Sequence, residues 1–308
     1  MSTKKHGVLR ELSRNRFSYL LVLPAALYTF IFGYWTLPYM VMAFQRFRYT
    51  DTILTAQWIG LKNFDFFVHS NRALMVTMTT LRLNILYIVF VTVFSVALAI
   101  LLNEMRPGRA TKVVQSAFIF PYFLSWVIAS YIVYLLFSTE MGVVNSLLKQ
   151  FGAKPYGWYQ HPQPWTAILT SLRVWKEVGM TSVIYLAALT GFDRGLYEAA
   201  TIDGANRAQQ IFRITIPLLL PLIAILTLLS IGRIFYGDFA MIYSIVRDNG
   251  LLYPTTDVID TYVFRALRLT GDPAQAMAAG LYQSLMGFIM VFGSNAIVKR
   301  YFREGALF

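Results

Sequence analysis

Cysteine is absent from the 308 residues, which excludes disulfides, thiolate metal sites and cysteine nucleophiles. Histidine occurs three times, at His6, His69 and His161, far apart and outside every apolar stretch. Neither a metal cluster nor histidine-based catalysis is expected. Charged residues make up only 14% of the chain, against 57% hydrophobic. A water-soluble protein of this length needs more charge to cover its surface. Also missing is the two-residue alternation over segments of about 10 residues that marks a membrane β-barrel. What is present instead is a series of apolar runs of about 20 residues, long enough to cross a hydrocarbon core of roughly 30 Å. The expected class is an all-α, polytopic membrane protein.

Six spans are predicted, at 19–44, 83–102, 113–137, 165–190, 217–236 and 276–298, with the fourth interrupted by "RVWKE". The first is read as an uncleaved signal-anchor, because its apolar core is too long for a signal peptide. Residues 1–18 then form a cytoplasmic segment, and 19–308 form one transmembrane domain. The net charge of +12 raises the question of nucleic acid. No basic domain stands apart from the spans, so the basic loops are read as facing anionic lipid and no nucleic-acid partner is expected. With the N-terminus inside, the short inside segments hold Arg106, Arg109, Lys112, Arg194, Arg207, Arg213, Lys299 and Arg300 besides the basic N-terminus. The longer outside segments hold fewer basic residues for their length. This density places both termini in the cytoplasm. Outside loops such as 156–165 are rich in Trp and Tyr. The 250–267 stretch ends in a helical pattern that Thr255 or Thr256 could cap. It reads either as an interfacial anchor or as a docking surface for an external partner.

The loop at 191–213, between spans four and five, is longer than a connector requires. "LYEAATID" is a good helix former, Gly204 suits the left-handed residue after a helix end, and "ANRAQQIFRIT" resumes helical periodicity. Pro217 can start the next span or kink its entry. The stretch holds Glu198-Ala199-Ala200, then Gly204, then Ile214, then Ile216-Pro217. In this spacing the chain resembles the permease subunits of binding-protein-dependent ABC importers, with Ile216 where Leu is usual. The resemblance extends over 21–39, the "WIGLKNF" loop, "LNEMRPGR" and "VWKEVGMTSVIYLAAL". These point to the carbohydrate-uptake branch, and the later "GRIFYGDFAMIY" and "DNGLLYPTTDVIDTYVFRAL" resemble permeases for oligosaccharides and polysaccharides in that branch.

That resemblance implies six helices in the type I importer permease fold, in the inner (plasma) membrane of a bacterium. It implies a coupling helix that enters a cleft on an ATPase, carried by Glu198, Ala199, Ala200, Asp203, Gly204, Ala205 and Arg207. Glu198 would pair with a basic residue of the ATPase. No Gly-x-x-x-x-Gly-Lys-Ser/Thr loop occurs, so ATP and Mg would be bound by the partner, and this chain is expected to be neither an enzyme nor a cofactor carrier. The implied partners are a second, homologous permease in a heterodimer, an ATPase dimer, an extracytoplasmic solute-binding protein and the carbohydrate.

Charges inside a membrane are costly and face a cavity or one another. Arg173, Lys176 and Glu177 fall within the fourth span. Arg233 lies near the end of the fifth, with Asp238 soon after. They read either as structural pairs, Arg173 with Glu177 at i and i+4, or as the polar lining of a sugar path. Trp175, Tyr185, Tyr236 and Tyr243 could add stacking faces or simply pack. The excess of Arg173, Lys176 and Arg233 over Glu177 permits an acidic oligosaccharide. A non-sugar solute remains an alternative. So does an ion-coupled secondary transporter, although Glu177 is the only acid well inside a span and no internal repeat is visible.

Overall fold

The computed structural model describes residues 15–48, 50–65, 70–106 and 108–301. His6, His69, Arg303 and most of the expected N-terminal segment lie outside them. Two compact units are present: Met1–Phe64 with Asp272–Leu281, and Asp65–Gly271 with Tyr282–Phe308.

In the first unit, α1 (Arg16–Thr29) runs through a π-helical turn, Phe30–Tyr34, and a 3-10 segment, Leu37–Phe44. None of the α1 side chains is buried. The "WIGLKNF" loop is structured. Strands β1 (Gln45–Arg46) and β2 (Gln57–Trp58) pair antiparallel, with Gln45 opposite Trp58. Asn63 donates to the carbonyls of Ala43 and Gln45, both at 2.9 Å. Phe44 stacks on Trp58 at 5.6 Å.

The second unit is built on α2 (Asn71–Glu104), which packs along α6 (Trp165–Thr190). Between them come α3 (Arg109–Ile119), α4 (Trp126–Phe137) and α5 (Val143–Gln150). After α6 follow α7 (Arg194–Ile202), α8 (Arg207–Gln210) and α9 (Ile216–Ile231). Next are α10 (Phe239–Val246), α11 (Tyr253–Thr256) and α12 (Ile259–Thr270), and, of α13 (Pro273–Tyr301), the part from Tyr282 onward. In lipid, apolar surface gains little by leaving the solvent for a neighbour, so helices associate through close packing and hydrogen bonds. The contact between α6 and the end of α3 shows this. A Cβ at Gly179 would collide with the backbone carbonyl of Phe118. Ser95 of α2 donates to the carbonyl of Val178 at 3.4 Å. One core joins Leu83 and Tyr87 of α2 to Val133, Trp165, Leu169 and Met241. A second joins Val96, Ala99 and Ile100 to Tyr185, Leu189 and Leu219. Tyr185 is therefore a packing residue at this point, although it also reaches the cavity described below.

The fold class is as expected, but the spans differ from their predicted outlines. Among the described residues, four helices are long and apolar enough to cross a membrane: Arg16–Phe44, Asn71–Glu104, Arg207–Ile231 and Pro273–Arg300. The predicted third span is broken. Arg109–Phe123 and Trp126–Phe137 meet at 101°. Pro121 sits in a 3-10 turn at the break, and Ser125 starts α4 by accepting from the Ile128 amide at 3.2 Å. The predicted fourth span is not interrupted. Arg173, Lys176 and Glu177 lie in an unbroken helix of 26 residues, roughly 39 Å long at 1.5 Å per residue. Their charge, not a break, keeps it out of the apolar set. The fifth ends at Ile231, where the chain turns irregular up to α10. In the 250–267 stretch, Thr255 and Thr256 belong to α11 and do not cap the next helix. The Oγ1 of Thr261 does so, accepting from the Val258 amide at 3.1 Å.

Candidate functional site

Irregular backbone within a membrane helix survives only where its polar groups find partners. The stretch from Gly232 to Asp238 has them. Asn84 of α2 donates to the carbonyls of Ile234 at 2.9 Å and Tyr236 at 3.0 Å. Gln283 of α13 donates to the carbonyl of Phe235 at 3.0 Å. The Gly237 amide donates to Asp260 of α12 at 2.6 Å, and Asp260 also accepts from Gln283 at 3.0 Å. Burial pushes the Asp260 carboxyl above the usual carboxylate range, against the pull of those two bonds. Asp238 caps α10 by accepting from the Met241 amide at 3.0 Å. The Tyr236 hydroxyl lies 2.9 Å from that of Ser284. Side chains from three helices thus fix the shape of this break.

The break forms one wall of a cavity of about 580 Å³, whose other walls are α2, α6 and α9. Arg173, Glu177, Arg233, Tyr236 and Asp238 all line it, with Asn84 and Tyr87. The Arg173 guanidinium binds Glu177 at 2.9 Å, one helical turn away, and also Asp238. It lies 5.7 Å from the centre of the Tyr87 ring. Arg233 is exposed to the cavity.

Trp175, Lys176 and Tyr243 lie elsewhere. Positions 175 and 176 point about 200° and 300° around the helix from 173, at roughly 100° per residue. Trp175 faces an apolar groove with Phe94, Leu98, Phe118 and Pro121. The Lys176 ammonium meets the broken span. It donates to the carbonyls of Tyr122 at 2.8 Å, Pro121 at 3.3 Å and Leu124, between the rings of Tyr122 and Trp126. These carbonyls lie at the bend, where that of Pro121 also accepts from the Leu124 amide at 3.2 Å. Tyr243 stacks on Phe239 at 5.1 Å and accepts from Arg268 at 2.9 Å. Sequence reasoning missed Asn84, Asp260 and Gln283. The signal for two of them was an amide side chain within an apolar run, at Asn84 and Gln283.

The 191–213 loop forms a helical hairpin. Asp193 caps α7 by accepting from the Gly195 amide at 2.9 Å. Gly204 then takes φ +81°, a conformation that costs other residues strain. Asn206 and Gln209 cap α8 reciprocally, at 2.8 and 2.9 Å. From α8 the helix continues through a π-helical turn, Ile211–Thr215, into α9. Pro217 falls in the first turn of α9, directly after that π-helical turn. Two bonds brace the hairpin, Gln210 to Thr201 at 2.9 Å and Tyr197 to Thr215 at 3.1 Å. Arg207 pairs with Glu104 at 3.2 Å, an exposed pair of small energetic weight. Glu198, Ala199, Asp203 and Gly204 are exposed, Ala200 and Ala205 half-buried. Among the described residues Glu198 has no salt-bridge partner. Two large apolar side chains of the hairpin are also exposed, Ile202 at 86% and Phe212 at 71%.

Residues 92–303 match the family described as the binding-protein-dependent transport system inner membrane component. The polygalacturonan/rhamnogalacturonan transport system permease protein YteP of Bacillus subtilis (strain 168) is 31% identical over 302 residues, covering 98% of this chain and 94% of that protein. A solved bacterial ABC transporter involved in the import of the acidic polysaccharide alginate is 31% identical to this chain. It superposes with a TM-score of 0.86 over 96% of this chain and 99% of its own. A second structure, of a bacterial alginate ABC transporter in complex with an alginate pentasaccharide-bound periplasmic protein, gives 0.85 at 30% identity, over 95% and 97%.

Proposed function

Given that this chain belongs to the family of binding-protein-dependent transport system inner membrane components, we propose that it is the membrane-spanning subunit of an ATP-driven importer of an oligosaccharide. It forms half of the translocation pathway, and a second, homologous permease forms the other half. The observation that carries the sugar is the likeness over nearly the full length to a polygalacturonan/rhamnogalacturonan permease and to an alginate importer. The cavity at the α9 break, with its charged and tyrosine lining, supports this reading.

The hairpin is the coupling element. Its Glu198, Ala199, Ala200, Asp203, Gly204, Ala205 and Arg207, with the exposed Ile202 and Phe212, form the face that docks on an ATPase dimer. ATP and Mg belong to that dimer. Closure of the dimer draws the hairpins of the two permeases together, and rigid-body motion of the spans moves the cavity from inward to outward access. In this reading the hairpin and both termini are cytoplasmic, and the α11–α12 segment faces a solute-binding protein outside. Affinity purification of the tagged chain from its host in mild detergent tests the assembly. A second permease and an ATPase are expected to copurify. A chain that purifies alone and still transports contradicts the reading.

A further inference from the structure

Three basic side chains entered the account as candidates for an acidic sugar, and two of them are committed elsewhere. Lys176 is spent on the carbonyls of the broken span, outside the cavity lining. Arg173 is spent on Glu177 and Asp238, and its remaining Nε is sealed from solvent without a partner. Arg233 alone lines the cavity with no ion-pair or side-chain hydrogen-bond partner among the described residues. Its backbone is fixed. Its amide donates to Ser230 at 3.0 Å, and its carbonyl accepts from Tyr236 at 2.9 Å. The segment that follows is pinned by Asn84, Gln283 and Asp260.

The exposed guanidinium is thus free to bind a ligand in the cavity. Its planar fork suits a carboxylate, which it binds through two parallel bonds. The balance of charge points the same way. Arg173 with Glu177 and Asp238 carries a net charge of −1, which Arg233 brings to zero. Without Arg233 the wall would repel an anion as well as fail to hold it.

We propose that Arg233 is the residue by which this pathway recognises the carboxylate of an acidic sugar, with Arg173 serving as a structural counter-charge. The proposal rests on the oligosaccharide reading above. The test uses the complete importer in proteoliposomes. The probes are trigalacturonate or trimannuronate, whichever the wild type takes, and the methyl ester of the same trisaccharide. In Arg233→Gln the ratio of acid to ester uptake is expected to fall by about tenfold or more, equivalent to about 1.4 kcal/mol, and in Arg233→Lys, which keeps the charge but loses the fork, to recover only part of that loss. An unchanged ratio in Arg233→Gln overturns the proposal. Should that variant fail to assemble, the cysteine-free chain permits Arg233→Cys, labelled after assembly. A cationic thiosulfonate is expected to raise the ratio and an anionic one to lower it, with labelled wild type as the control. Equal effects of the two labels overturn the proposal. A wild type that imports a neutral trisaccharide but neither acidic one overturns this proposal and leaves the oligosaccharide reading standing, whereas a wild type that imports no trisaccharide at all contradicts that reading.

Discussion

Arg173 holds two carboxylates, one on its own helix and one 65 residues away. Its pairing with Glu177 was legible from the i, i+4 spacing. Its bond to Asp238 was not, because it depends on where the chain turns after Ile231. Removing one member of a partly buried ionic group leaves the others uncompensated, at about 3–5 kcal/mol. Arg173→Gln is therefore expected to lower the melting temperature of the purified protein markedly, and adding Glu177→Gln and Asp238→Asn to recover part of the loss. Additive losses from the three substitutions would show that the charges do not act as a unit. Lys176 shows the opposite limit of legibility. Its residue type signalled a costly buried cation, but its partners are carbonyls exposed by a bend. No pattern of side chains announces such partners.

Helices in this chain are most legible where they are regular. The second and sixth predicted spans lie inside longer helices, because apolar runs mark the hydrocarbon core and not the ends. The broken elements escaped because a bend at Pro121 and an irregular exit from α9 leave the mean hydropathy of the run unchanged. The hairpin was legible for a local reason. Helix formers on either side of a glycine that takes positive φ are written in short-range sequence, and the Asn206–Gln209 capping pair, equally local, went unread. Gly204 also supplies a discriminating test. A Cβ there meets nothing within 4 Å, so the cost of a substitution is the left-handed backbone, about 1 kcal/mol, and least for Asn or Asp. Gly204→Asp should reach the membrane with a melting temperature close to wild type and yet abolish sugar uptake, as should Glu198→Lys. Uptake at the wild-type rate in either variant would remove the hairpin from the coupling role.

At the scale of the whole molecule, composition alone set the class, since 14% charge cannot dress a soluble surface. The cavity was not legible, since it forms where three stretches distant in sequence meet: that of Asn84 on α2, that of Arg173 on α6, and that from Leu226 on α9 to Tyr236 past its end. This chain superposes on a chain of a solved alginate importer over 96% of its length, and the central claim of the proposed function is energy coupling through a partner. Its most direct measurement is uptake of a labelled acidic trisaccharide into proteoliposomes. These hold this chain with its companion permease and ATPase, with the solute-binding protein outside and Mg-ATP trapped within. The account predicts accumulation that stops when ATP is omitted or when Gly204→Asp replaces the wild-type chain. Accumulation that continues without ATP, or with the ATPase left out, would contradict it.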